Sequence, residues 1–159
     1  MAKSDTRKCR YTNCLHDSKD INLETDKYVK DGSSYYHEDC HQTKQNIQLI
    51  KTLWHDHIDS MVVYSQLMKI LNQLIFHDKV SSDYLVFAIK YAINHDDIKL
   101  RYPPGIRYVI GNQRVKDAYT KSLTKAISNT TFVAHEDEST APKFSFNKKP
   151  TGFGSILGG

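Results

Sequence analysis

All three cysteines of the chain fall between positions 9 and 40, and their spacing constrains the N-terminal part more than any other feature. The order is Cys9, four residues, Cys14, twenty-two residues, His37, two residues, Cys40. Thiolates and imidazole are the ligands that zinc takes in closed tetrahedral sites, in close pairs separated by a longer spacer. Three cysteines cannot all pair as disulfides, whereas three cysteines and one histidine complete a zinc shell. The spacing therefore predicts one structural Zn2+ on Cys9, Cys14, His37 and Cys40. A full Cys3His shell keeps no position for catalytic water. The chain has eight histidines, and His16 and His41 also lie near the cysteines. The two-residue step from His37 to Cys40 matches a turn running into a helix, which sets His37 ahead of those two.

The residues between the ligands read as a small hairpin. Tyr28-Val29 and Tyr35-Tyr36 are the strands, and Asp31-Gly32-Ser33-Ser34 is the turn that joins them. The first knuckle spans Lys8 to Asn13, and residues 1–8 form a flexible lead. The run Tyr35-Tyr36-His37-Glu38-Asp39-Cys40, followed by a helix, resembles the second half of LIM-type fingers. It is also similar to the finger of poly(ADP-ribose) polymerases. Both are treble-clef-like sites with ligand order Cys, Cys, His, Cys. The resemblance covers roughly residues 7–48 and implies the same four ligands, Cys9, Cys14, His37 and Cys40. The chain departs from both patterns in placing four residues, not two, between its first cysteines. It also lacks cysteines for the second site of a LIM domain.

The remainder is read as mainly α. No proline or glycine occurs between Gly32 and Pro103. Ile47, Ile50, Trp54, Ile58 and Met61 follow three- and four-residue steps, as an amphipathic helix requires. Leu53, His57, Tyr64, Leu67, Leu71 and Leu74 extend the neighbouring stripe. One helix, or two joined near Asp59-Ser60, is expected over 42–77. Ser81-Ser82-Asp83 then starts a buried helix that ends around Asn94-His95. Tyr102-Pro103-Pro104-Gly105 forces an extended turn. Ile106 to Ile110 follow as a short strand or apolar anchor. Asn112 caps a last helix with Val115, Tyr119, Leu123 and Ile127 inward. The expected organisation is a zinc-finger-like subdomain over 1–45, a helical domain over 46–128 and a disordered tail over 129–159. The tail carries Phe144, Phe146 and Phe153 as candidate docking residues.

Charge distribution points to the surface that meets a partner. Residues 1–45 carry eight basic and eight acidic side chains, and residues 46–97 carry four and six. Residues 98–128 carry seven basic and one acidic, a net +6, while 129–159 sum to zero. The whole excess behind the net +4 thus sits in one late segment. Arg101, Arg107, Arg114, Lys121 and Lys125 are candidate phosphate contacts, with Tyr102 and Tyr108 interleaved for stacking. Nucleic acid is therefore one expected partner. A host protein is the other, because lysine-rich, arginine-poor composition suits the AT-rich genomes of low-GC bacteria and their phages. No phosphate-binding glycine loop or nucleophile elbow occurs, so the chain is expected to be a non-enzyme with no small-molecule substrate. Trp54-His55-Asp56-His57-Ile58-Asp59 reads as a solvated helix face, since His57 does not share a side with His55 and Asp59. The N-terminus lacks the apolar stretch of a signal peptide, and no run reaches the ~18 apolar residues of a membrane span. A cytoplasmic location is the default expectation.

Overall fold

The computed structural model describes the backbone of residues 5–136 and the side chains of residues 5–128. The chain divides into two compact units between Leu123 and Thr124. The first unit opens with two small antiparallel sheets. Strand β1 (Thr6–Lys8) pairs with β2 (Asp20–Asn22), Arg7 facing Ile21. Strand β3 (Tyr28–Asp31) pairs with β4 (Ser34–His37), Tyr28 facing His37. An isolated bridge between Cys9 and Tyr35 joins the two sheets. The second hairpin stands where the turn signal puts it, and Gly32 adopts φ +59° there, the left-handed conformation that glycine accepts most readily. The β1–β2 pair is a correction to the expected flexible lead, since Thr6–Lys8 is a strand.

Five α-helices follow among the described residues. Helix α1 (Glu38–His57) starts directly from β4, with Glu38 and Asp39 in its first turn, where acidic groups complement the helix dipole. It ends where the sequence allowed a break. The Asp59 carboxylate accepts the Met61 backbone N–H at 2.9 Å, and this local bond holds a turn in place of helix. Met61 is consequently 86% exposed and not part of the buried stripe. His57 and Tyr64 are exposed as well. Helix α2 (Tyr64–Asn72) continues into a π-helical turn over Gln73–His77. Helix α3 (Ser82–Asn94) follows, and a 3-10 turn over Pro103–Gly105 leads into α4 (Ile106–Gly111). Of the two expectations for 106–110, the strand is overturned, since the segment is a helix, and the apolar anchor holds, since Ile106 and Val109 are fully buried. Proline fixes φ near the helical value, so the Pro-Pro-Gly turn feeds a helix. Tyr102 before it stays extended, with φ −129° and ψ 149°. Helix α5 (Gln113–Glu136) begins at Asn112, whose side chain accepts the Arg114 N–H at 2.9 Å. It runs past residue 128 into the stretch assigned to the tail. Residues 137–159, with Phe144, Phe146 and Phe153, lie outside the described residues.

Two separate apolar cores result. The helical one gathers Ile50 and Trp54 of α1, Leu67 and Leu71 of α2, Leu85 and Ile89 of α3, and Ile106, Val109 and Val115. All nine are fully buried. On α5 the buried side is confined to the first turns. Val115 is buried and the Tyr119 ring lies 5.0 Å from Tyr84 and 5.1 Å from Phe87. Leu123 and Ile127, expected inward, are 47% and 68% exposed. The finger core is much smaller: Cys9, Ile21, Tyr36 and Cys40. A polar clamp ties α1 to the start of α3, where Asn46 donates to Ser82 at 2.9 Å and to Asp83 at 2.7 Å. No helix among the described residues is long and apolar enough to cross a membrane.

Candidate metal centre

Each of the four predicted ligands is delivered by a different local device. Cys9 sits just after β1, where its N–H bonds to the Lys19 carbonyl at 2.6 Å and the Arg10 N–H bonds to the Tyr35 carbonyl at 2.9 Å. Cys14 lies on the loop between β1 and β2. His37 ends β4 and caps α1 with extended backbone, φ −57° and ψ 148°. Cys40 stands in the first turn of α1 and is fully buried. The hairpin and the helix start thus present His37 and Cys40 to the knuckle that carries Cys9 and Cys14.

The donor atoms converge. Their ligating atoms all lie within 4.8 Å of one another. Cys14 Sγ is 3.7 Å from Cys40 Sγ and 3.4 Å from His37 Nδ1, and Cys40 Sγ is 3.9 Å from the same nitrogen. With Zn–S near 2.3 Å and Zn–N near 2.0–2.1 Å, a tetrahedron has S···S edges of about 3.8 Å and S···N edges of about 3.5 Å. The observed separations match those edges, so Cys9, Cys14, His37 and Cys40 lie close enough to hold one metal ion and fit zinc. Cys9, His37 and Cys40 are buried and Cys14 is half-buried, so the cluster opens little to water.

A surrounding layer holds the donors in place. The Leu15 N–H donates to Cys40 Sγ at 3.3 Å, a bond that favours the thiolate. Burial acts the other way and pushes the Cys40 thiol up, as does its closeness to Cys9 and Cys14. A cation must therefore displace protons to bind, which couples metal affinity to pH. His16 stacks on the His37 ring, centroids 4.0 Å apart and planes at 30°. Its Nε2 bonds to both Asp39 oxygens at 2.9 Å. Burial alone would raise the Asp39 carboxyl, but the bonds from His16 and from the Cys40 N–H hold it below the usual carboxylate range. His16 thus serves as a partner of His37 and Asp39, although with Asp39 and Cys40 it forms a second close trio of donor atoms. This role was hidden in the sequence, where His16 stood only as a rival ligand. His41 instead lies toward the hairpin, 3.8 Å from Asp31.

The basic segment is arranged less simply than its sequence suggests. Arg107 pairs with Asp78 at 3.2 Å, and Arg114 pairs closely with Asp97. The Arg114 guanidinium holds the Asp97 carboxyl below its ordinary range. Both partners come from elsewhere in the chain, so sequence spacing gave no sign of them. Arg101 and Lys121 are exposed and form no ion pair among the described residues, and Lys125 is also exposed. Tyr102 and Tyr108 are 71% and 70% exposed. On the Trp54–Asp59 stretch, His55 bonds to its neighbour Asp56, at 2.9 Å, on an exposed surface.

No family model, no curated protein and no solved structure matches this chain. Neither the LIM nor the poly(ADP-ribose) polymerase resemblance gains support from those comparisons. What stands on the structure is a Cys/His cluster able to hold a metal, set beside a β-hairpin.

Proposed function

We propose that this chain is a non-catalytic accessory protein, fixed at its N-terminal end by one structural zinc, that contacts nucleic acid through its basic segment 98–128. Three thiolates and one imidazole saturate a tetrahedral ion, which leaves it a structural task. Free thiols at this density suit a reducing compartment such as the cytoplasm. The observation that carries the nucleic-acid reading is the exposure of Tyr102 and Tyr108 beside Arg101 and Arg107. Large aromatic faces left in water next to guanidinium groups suit bases and phosphates. With Arg107 and Arg114 paired to carboxylates, Arg101 and Lys121, which form no ion pair among the described residues, are the phosphate contacts of the first unit, and Lys125 is a candidate contact of the second. Fluorescence anisotropy with labelled DNA and RNA tests this. Binding weakens steeply with salt, and reversal of Arg101, Lys121 and Lys125 to glutamate abolishes it. Unchanged affinity in that variant overturns the assignment.

A second reading rests on Met61, Val63 and Tyr64, which are 86%, 55% and 42% exposed in and beside the α1–α2 connection. Such residues serve protein contacts. Capture of a protein that survives nuclease and high salt, and that Met61→Ser with Val63→Ser removes, supports this reading over the first.

A further inference from the structure

Residues 1–45 sum to zero charge, yet the finger sorts its charges by place. One cavity, of about 650 Å³, is lined mostly by acidic residues, Asp17, Asp20, Asp26, Glu38 and Asp39, with Lys27, His16 and His37 beside them. A different open groove, of about 770 Å³, is lined by Arg7, Lys8, Arg10 and Lys30, by Tyr35 and by the Gly32–Ser33 turn. Among the described residues, no acidic side chain lines this second groove. We propose that the groove is a binding site for single-stranded nucleic acid, carried by the finger itself and separate from the helical surface described above.

The groove is built around Tyr35. The Arg7 guanidinium lies 5.9 Å and the Lys30 ammonium 5.7 Å from the centre of its half-buried ring. Its backbone is fixed on both sides, by the bridge to Cys9 and by pairing with Lys30 across the hairpin. The aromatic platform is therefore anchored through its backbone, while the four cations that line the groove are all exposed. Arg10 and Lys30 have no carboxylate partner among the described residues; Arg7 pairs with Asp5 at 3.2 Å and Lys8 reaches Asp20 only at 4.0 Å. An anchored aromatic face ringed by exposed cations is the arrangement by which proteins hold single strands, one base stacking while the backbone is neutralised. A duplex is disfavoured because, among the described residues, no helix borders the groove to enter a major groove, and a duplex's bases are not splayed out to reach Tyr35. An acidic peptide would meet the cations but leave the ring unused. The acidic cavity on the same finger repels phosphate and confines the strand to the basic groove.

The test uses the full zinc-loaded chain and labelled oligothymidylate or oligouridylate of about fifteen nucleotides, a length within the range such grooves hold. Arg10→Glu with Lys30→Glu weakens binding about tenfold or more, with zinc content and circular dichroism unchanged. Arg10→Gln with Lys30→Gln lowers the slope of log affinity against log salt by about 1.4, from 0.7 per contact on a single strand. Tyr35→Leu weakens binding while leaving that slope unchanged. Full binding by the Arg10/Lys30 variants overturns the groove. If the Arg101/Lys121/Lys125 reversal alone abolishes binding, the helical surface stands and the groove falls. If only the finger variants lose binding, the groove stands and the helical assignment falls. No binding of any nucleic acid removes both, and displacement of the strand by polyglutamate at equal charge makes the groove a site for acidic peptides and overturns the proposal.

Discussion

Replacing Cys14 or Cys40 by serine separates the finger from the rest of the fold, and the structure indicates how far the damage travels. Apart from cysteines, the finger core holds one fully buried isoleucine, Ile21, and Tyr36 at 8% exposure. Each such side chain contributes about 1.5–3 kcal/mol on burial. A structural zinc contributes about 10–16 kcal/mol of apparent binding free energy at neutral pH. The ion thus dominates, and segments of fewer than about 40 residues rarely hold together without such a staple. Loss of one ligand should unfold residues 5–37 and fray the first turn of α1. The helical core should survive, because Ile50, Trp54, Leu67, Leu71, Leu85 and Ile89 belong to a cluster distinct from Cys9, Ile21, Tyr36 and Cys40, and the Tyr11–Phe76 ring contact between the two, at 6.3 Å, lies at its edge. Limited trypsin digestion should cut the variants at Lys19, Lys27 or Lys30 while a core fragment persists. Zinc analysis should give substoichiometric metal, and chelation of the wild type should reproduce the pattern. Stoichiometric zinc in both variants would show that Cys14 and Cys40 are not ligands, and global unfolding of the helices would show that the helical core depends on the finger.

Three further outcomes follow from particular contacts. Asn46→Ala removes the donor to Ser82 and Asp83, and should cost about 1–3 kcal/mol of stability in urea titration, the penalty of a buried polar group left unpaired. His16→Ala should keep one zinc per chain but lower its affinity about 10- to 100-fold, as loss of a group that steadies a ligand does; loss of the metal altogether would make His16 a ligand. The Asp97 carboxyl is held below its ordinary value by Arg114. A lowered folded value means stability present above the unfolded pKa of about 3.9 and lost as pH falls through the folded value. Asp97→Asn should therefore flatten that part of the acid dependence of Tm and leave the neutral region little changed, since the pair is exposed.

The metal cluster was legible because its chemistry needs rare residue types at restricted spacing, and Cys9, Cys14, His37 and Cys40 have no bland reason to converge. The helical cores of α1 to α3 were legible for a different reason: each buries an uninterrupted stripe, and the break at Asp59 uses a side chain that competes with helix. The β1–β2 pair was not legible. Three-residue polar strands carry no periodicity, and Ile21 is the one fully buried residue in them. Ile106–Ile110 misled because an apolar run this short fits strand or helix equally, and only the geometry of the Pro103–Gly105 turn decides. The outward placement of Met61 and Leu123 depends on where neighbouring elements end. The pairing of Arg107 with Asp78 and Arg114 with Asp97 spans 29 and 17 residues, beyond any local pattern.

X-ray absorption at the zinc edge of the purified protein measures the closed Cys3His site most directly. Three sulfur scatterers at about 2.3 Å and one nitrogen at about 2.0 Å are expected, with no water in the shell. A shell with two sulfurs, or one containing a water oxygen, would contradict it.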